Sequence, residues 1–280
     1  MNQDIKERDP LVSIIIPNFN RGPIIEETIT SVLKQSYDNW ECLIVDDCST
    51  DNSWDILLEL SKKYCWIKPI RLQKNSGPVV ARNIAISNAR GKYLSFIDVD
   101  DYWLPEKLSI HIGFMEKNYA AISFSDCRYI SEDGKLIGRR FSGVNKVGIH
   151  MHFMTRYIGC LTVIVNRHIC EDFYFPDIHP SVRAEDFLAW LQVIRAHGPA
   201  IRCPHDLARY SVVMNSRSSD PIQASLSVWK LYRYSLNLPI ISAGVYFGFY
   251  AIFVIYKRFY FKPRFKSLEV DSNLSLGYTI

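Results

Sequence analysis

GKYLSFIDVDDYWLP, residues 91–105, is the stretch from which this sequence is best read. Tyr93–Ile97 is a short apolar run of the length and composition of a buried strand. It ends in three carboxylates, Asp98, Asp100 and Asp101, within four positions. Leu104 and Pro105 then open a helical pattern, with proline at the first helical position. Carboxylates gathered at the end of a buried strand repel one another by about 3 kcal/mol per pair at ~5 Å and an effective dielectric of ~20. A positive partner is expected there. A divalent cation with hard oxygen ligands fits, and Mg²⁺ or Mn²⁺ typically arrives with substrate phosphates. The alternative is a solvated acidic turn that caps the next helix.

Working outward, the chain alternates strands with helices. Leu11–Ile16 is a β-branched run ending at Pro17-Asn18-Phe19-Asn20, and Ile25, Ile29, Val32 and Leu33 follow at helical spacing. Glu41–Val45 is a second buried strand, closed by DDCSTD at 46–51. Ser53–Tyr64 reads as a helix capped by Asp51 or Asn52, Ile67–Leu72 as a strand and Pro78–Ala89 as a helix. Leu108, Ile112 and Met115 mark the helix after Tyr93–Ile97. This order predicts an α/β fold with a mostly parallel, right-handed sheet flanked by helices. Ligands bind such sheets beyond the carboxyl ends of the strands. Three of those ends carry polar turns, PNFN, DDCSTD and DVDD, which points to one shared site.

After Ala120 the alternation fades. Ala121–Ser125 and Cys160–Val165 read as strands, and Arg128–Gly138 as a hairpin turning at Asp133-Gly134. Glu185 and Asp186 open a helix whose Phe187, Trp190, Leu191 and Ile194 share one face. Tyr210–Met214 precedes a polar loop, Asn215–Asp220. The 280 residues have a net charge of +4. The seven cysteines lack ligand-like spacing, which suggests reduced thiols. Met1–Pro10 is charged and polar, unlike a signal peptide, so the catalytic part is expected in the cytoplasm.

PNFNR at 17–21, VDDCSTDNS at 45–53, ARN at 81–83, FIDVDDYWLP at 96–105 and AED at 184–186 occur in register. Together they resemble a family 2 glycosyltransferase with the Rossmann-like GT-A fold over roughly residues 11–220. IGCLTV, FPD and SRSS further on are similar to bacterial enzymes that build surface polysaccharides, such as O-antigen, capsule or teichuronic acid. The resemblance implies inverting transfer of a sugar from a nucleotide-diphosphate donor, read as a UDP-sugar, to a lipid-linked (polyprenyl-pyrophosphoryl) saccharide, aided by Mg²⁺ or Mn²⁺. It divides the chain into a nucleotide-sugar half (11–118) and an acceptor half (119–220) within a catalytic domain of residues 1–220, followed by a tail of residues 221–280.

Carried over residue by residue, the resemblance puts Pro17 and Phe19 at the nucleoside, although Phe19 also suits a plain strand-ending turn. Asp47 would accept a hydrogen bond from the base, while Asp46 caps the turn. Arg82 would face the diphosphate or ribose, and Asp98 the ribose or an outer water. Asp100 would bind the metal; Asp101 is equally a helix cap. Arg217 would hold phosphates or stand as a loop charge. Asp186 would be the general base, with Glu185 as its rival about 100° around the helix. In two places the sequence departs from the family. Cys48 stands where glycine is usual, so a reshaped turn is expected. Val213 or Met214 stands near where many members supply a histidine metal ligand.

Leu238–Tyr256 is nineteen residues without a charged side chain, followed by Lys257, Arg258, Lys262, Arg264 and Lys266 among aromatics. As a helix it would reach ~28 Å. A span would put the basic tail outside, against the usual charge bias. The tail is therefore read as a helix lying on the inner face of the cell membrane, a peripheral association. A spanning helix, and packing on the domain or on a second subunit in an oligomer through Gly244 and Gly248, are the other arrangements. No groove-binding motif accompanies the basic residues, so no nucleic-acid partner is expected. A sugar nucleotidyltransferase would need a glycine-rich loop after the first strand, which is lacking here. A non-catalytic, nucleotide-sugar-binding scaffold remains as the alternative from another class.

Overall fold

The structure, a computed structural model, describes residues 9–131, 135–140, 144–177, 182, 184–212 and 221–260. In chain order the first half runs β1 (Val12–Asn18), α1 (Gly22–Leu33), β2 (Trp40–Asp46), α2 (Ser53–Lys63), β3 (Ile67–Arg71), α3 (Pro78–Asn88) and β4 (Tyr93–Phe96). Then come β5 (Tyr102–Trp103), α4 (Lys107–Asn118), β6 (Ile122–Ser131), β7 (Leu136–Arg140), β8 (Lys146–Val147) and α5 (Ile149–Thr155). The chain continues through β9 (Val163–Asn166), α6 (Glu185–His197), β10 (Ala200–Val212), α7 (Pro221–Lys230), a π-turn (Leu231–Ser235) and α8 (Ile240–Tyr260).

The main sheet has the order β3-β2-β1-β4-β9-β6-β10-β5. β1 is central, and its consecutive apolar residues serve both faces: Val12, Ile14 and Ile16 pack with α1, α2 and α4, Ile15 with α3 and α6. β3, β2, β1 and β4 are mutually parallel, β9 runs against both β4 and β6, and β10 is parallel to β6. The sheet is thus mostly parallel, with β9 reversed where the regular alternation ends and β5 reversed at the edge. Asn18 lies opposite Asp46 in the β1–β2 register, so the PNFN and DDCSTD turns leave the sheet side by side.

Two local expectations are corrected. Leu104 and Pro105 do not open a helix: Tyr102 and Trp103 form β5 against Arg209 and Ala208, and α4 begins at Lys107. Burying Trp103, whose Nε1–H donates to the Leu161 carbonyl at 3.0 Å, outweighs the helical signal. Asp101 is not the helix cap either. It is buried, and its Oδ1 accepts the Ser211 N–H at 3.0 Å, tying the acidic turn to β10. The hairpin over Arg128–Gly138 appears as the β6–β7 antiparallel pair, but the predicted turn at Asp133-Gly134 lies outside the described residues.

A third core joins Phe153, Phe187, Leu188 and Leu191 to Val228, Leu231, Tyr232 and Ala243, so α7 and one side of α8 pack onto α5 and α6. The other side of α8 carries an exposed apolar stripe, Ile241, Val245, Phe249, Ile252 and Ile255. Among the described residues no helix is long and apolar enough to cross a membrane.

Candidate active site

The site is built where β1, β2 and β4 end. The buried Asp46 carboxylate accepts the Asn18 amide at 2.8 Å, the Ser49 hydroxyl at 2.5 Å and the Ser49 N–H at 3.1 Å. The Asn20 N–H donates to Ser49 Oγ, and the Asn20 side-chain Oδ1 accepts the Thr50 N–H, so the two turns form one unit. Asp51 completes it, accepting the Ser53 N–H on one oxygen and the Gly22 N–H on the other, while Asn52 makes no side-chain cap. A Cβ on Gly22 would lie 2.1 Å from Asn52 Oδ1 and 3.1 Å from the Ser53 backbone nitrogen, so any side chain here would force Asn52 to move. Cys48 has φ +62, the left-handed conformation glycine would take. The turn is therefore kept rather than reshaped, and a cysteine bears the strain.

Beside this unit Pro17 is half-buried and Phe19 exposed at the mouth of the sheet end. Asp47 is buried and accepts the Ser76 and Gly77 N–H groups, one on each oxygen, both at 2.7 Å. It organises the loop before α3, and each oxygen keeps a further acceptor lobe.

The acidic turn is tight, with the Asp98 carbonyl accepting the N–H groups of Asp100 and Asp101. Burial raises the Asp100 carboxyl above its ordinary range, Asp98 adds to the rise, and Arg21, 4.0 Å away, opposes it. Arg82 is almost wholly buried and spans two halves of the chain. Its Nη2–H donates to Asp98 Oδ1 at 2.7 Å and its Nη1–H to Glu185 Oε1 at 3.2 Å, with the guanidinium 5.2 Å above the Phe175 ring. Both carboxylates hold its pKa up against desolvation. The side chain expected to face a diphosphate or ribose is engaged by two acids in this structure.

Asp186 is the next residue of α6 and points elsewhere. Its Oδ1 accepts its neighbour's N–H, from Phe187, at 2.7 Å, and lies 3.9 Å from Arg156 Nη2. It lines a cleft of about 200 Å³ between α5, α6 and α8. His152 also lines this cleft, stacked on Phe187 at 4.1 Å; burial pushes its imidazole down to about 4. Of the expected site residues, the structure thus joins Asp98, Arg82 and the Asp186 helix through Glu185. Arg217, Val213 and Met214 lie outside the described residues. Arg156 and the bridging role of Glu185 gave no local signal in the sequence, since both depend on contacts across the fold.

Residues 13–167 match the family model described as Glycosyl transferase family 2. The chain belongs to that family. This glycosyltransferase is 35% identical, over 89% of its length and 98% of the relative's, to TuaG of Bacillus subtilis, a candidate teichuronic acid biosynthesis glycosyltransferase. It is 34% identical, over 79% of its length and 85% of the relative's, to WfgD of Escherichia coli, a UDP-Glc:α-D-GlcNAc-diphosphoundecaprenol β-1,3-glucosyltransferase. Among solved structures, TarS of S. aureus in complex with UDP-GlcNAc matches with a TM-score of 0.63 at 22% identity, over 94% of this chain and 76% of that one. The mannosyltransferase PcManGT of Pyrobaculum calidifontis, in complex with GDP-Man and Mn²⁺, matches with a TM-score of 0.66 at 18% identity, over 91% and 76%. These likenesses show the GT-A fold.

The donor set around the glycosyltransferase's acidic turn suits a hard cation sparingly. Among the described residues no three acidic, histidine or cysteine side chains form a metal cluster. Asp98 is engaged by Arg82, which leaves Asp100 at the mouth with its charge disfavoured by burial. That fits an ion that enters with phosphate oxygens rather than one caged by protein.

Proposed function

We propose that this enzyme transfers a sugar, with inversion, from a UDP-sugar to a polyprenyl-pyrophosphoryl saccharide in cell-surface polysaccharide assembly, working at the inner face of the membrane. One observation carries the reading. The Arg82 bridge ties the first turn of α6, through Glu185, to Asp98, and the next residue of that turn, Asp186, lines a cleft. The named activity of WfgD supports a diphosphate-lipid acceptor and a UDP-linked donor. The UDP-sugar complex of TarS supports the same donor class.

In this reading Pro17, Phe19 and Asp47 receive the nucleoside, and Asp98 and Asp100 stand at the ribose and diphosphate, with Arg217 helping to hold the phosphates. Arg82 is a positioning residue that keeps Asp98 and α6 in register. A Mg²⁺ or Mn²⁺ ion held by Asp100 would neutralise charge developing on the departing diphosphate. Asp186 accepts the proton of the acceptor hydroxyl as its oxygen attacks the anomeric carbon, on the face opposite the diphosphate. The new C–O bond forms as the bond to the diphosphate oxygen breaks, and UDP leaves. No covalent enzyme intermediate is needed. The exposed stripe of α8 lies on the anionic inner leaflet.

The test is product analysis with a panel of UDP-sugars and a diphosphate-lipid saccharide, using wild type and Asp186→Asn. The variant is expected to lose turnover by about 10²–10⁴-fold, while UDP-sugar binding and thermal stability stay near wild type. Near-normal turnover, or loss of donor binding instead, would overturn the base assignment. A non-catalytic scaffold would form no product at all.

A further inference from the structure

We infer that Arg156 is the anchor for the diphosphate of the acceptor, which deepens and rests on the reading above. The donor's diphosphate belongs at the Asp98–Asp100 turn, so a lipid-linked acceptor brings a second one that needs its own cation. The cleft beside Asp186 holds such a cation. Its walls are His152, Arg156, Asp186 and Phe187 on one side and Tyr250 and Phe253 of α8 on the other. His152 is neutral near pH 7, because burial lowers its pKa to about 4 even with Asp186 nearby. Arg156 is therefore the charged donor in this wall, and its planar fork matches two phosphate oxygens at once.

Arg156 Nη2 sits 3.9 Å from Asp186 Oδ1, and its guanidinium lies 5.7 Å over the Phe187 ring with the side chain 24% exposed. It ends α5 in the left-handed conformation, φ 47 and ψ 45, where glycine would be unstrained. From the guanidinium the cleft leads two ways. Asp186 lies 3.9 Å from the guanidinium, within reach of a hydroxyl on the sugar that the diphosphate carries. Tyr250 and Phe253 lead onto α8, whose exposed Ile252 and Phe249 continue the apolar path for a prenyl chain. Phosphate, sugar and lipid thus each meet matching chemistry in the order in which the acceptor carries them.

The test uses the full-length protein and two acceptors with the same sugar, one on a diphosphate with a short prenyl chain and one on an alkyl aglycone without phosphate. Arg156→Gly suits the left-handed backbone, so folding is expected to survive. It should raise KM for the diphosphate acceptor about tenfold or more, the scale of a lost charge-assisted hydrogen bond. KM for the alkyl glycoside and for the UDP-sugar should change little, and Arg156→Lys should recover part of the loss. Equal losses on both acceptors, or none on the diphosphate acceptor, would overturn the assignment. Wild type that turns over neither acceptor would overturn the underlying reading and this inference with it.

Discussion

Arg82 Nη1 meets Glu185 Oε1 at 3.2 Å across 103 positions of sequence, while Nη2 of the same guanidinium holds Asp98 at 2.7 Å. One buried cation therefore joins the strand-end acids of the first half to the helix of the second. Removing it should damage both. Arg82→Ala leaves two part-exposed carboxylates without their shared partner and should lower the melting temperature, together with most of the activity. Glu185→Gln keeps a hydrogen-bond acceptor and should lower the denaturation midpoint only modestly, with activity retained. If Glu185→Gln is as inactive as Asp186→Asn, the division of labour between the two neighbours is wrong.

Asp100→Asn should reduce turnover by about 10²–10³-fold, the size of a lost electrostatic contact to a leaving group. Because burial and Asp98 both disfavour its charge, the variant should be no less stable than wild type in thermal melts. Excess EDTA should suppress activity reversibly. Activity that persists in EDTA would sink the cation requirement.

Cys48→Gly tests the turn. A left-handed non-glycine residue costs about 1–2 kcal/mol, partly offset by the greater freedom of glycine in the unfolded chain. The variant should gain roughly 0.5–1 kcal/mol by denaturant unfolding. A loss would mean that the Cys48 Sγ contact to the Gln73 carbonyl, at 3.6 Å, is worth more than the strain.

Truncating α8 would expose the third core, so the membrane reading is better tested by point changes. Val245→Glu with Ile252→Glu alters only the exposed stripe and should leave folding intact. Wild type should float with anionic vesicles and be only partly released by high salt, since apolar burial and charge act together. The double variant should remain unbound. Wild type that fails to float would end the interfacial reading.

Lys107 predicts a pH dependence. It is fully buried, 2.6 Å from His111 Nδ1 and donating to the Thr162 carbonyl at 3.1 Å, and desolvation lowers its pKa to about 7. His111 in turn places Nε2 2.8 Å from Ser123 Oγ, so lysine, imidazole and hydroxyl form one buried chain of hydrogen bonds. Unfolded lysine titrates near 10.4. Between about 7 and that value the unfolded chain binds more protons, so this group makes stability rise with pH across the window. Below pH 7 its contribution is flat. Lys107→Met should flatten the rise in melting temperature between pH 7 and 9, and an unchanged slope would show that the ammonium finds other compensation.

Sequence by itself determined the β-α alternation, the central strands and the three polar strand ends. Those follow from local periodicity and turn chemistry, which neighbouring residues carry without reference to the rest of the chain. The α6 helix beginning at Glu185 was also legible from its apolar face, whereas the expectation of a reshaped turn at Cys48 gave way to a left-handed cysteine. Tertiary structure decided the rest. Trp103 became a strand because its indole found the Leu161 carbonyl, and Asp101 turned to β10 because Ser211 offered an N–H there. Arg82 was drawn between Asp98 and Glu185, and Arg156 was set beside Asp186. Each of these depends on which residues distant in sequence become neighbours, since a buried charge or donor takes whichever partner the packed fold brings within reach.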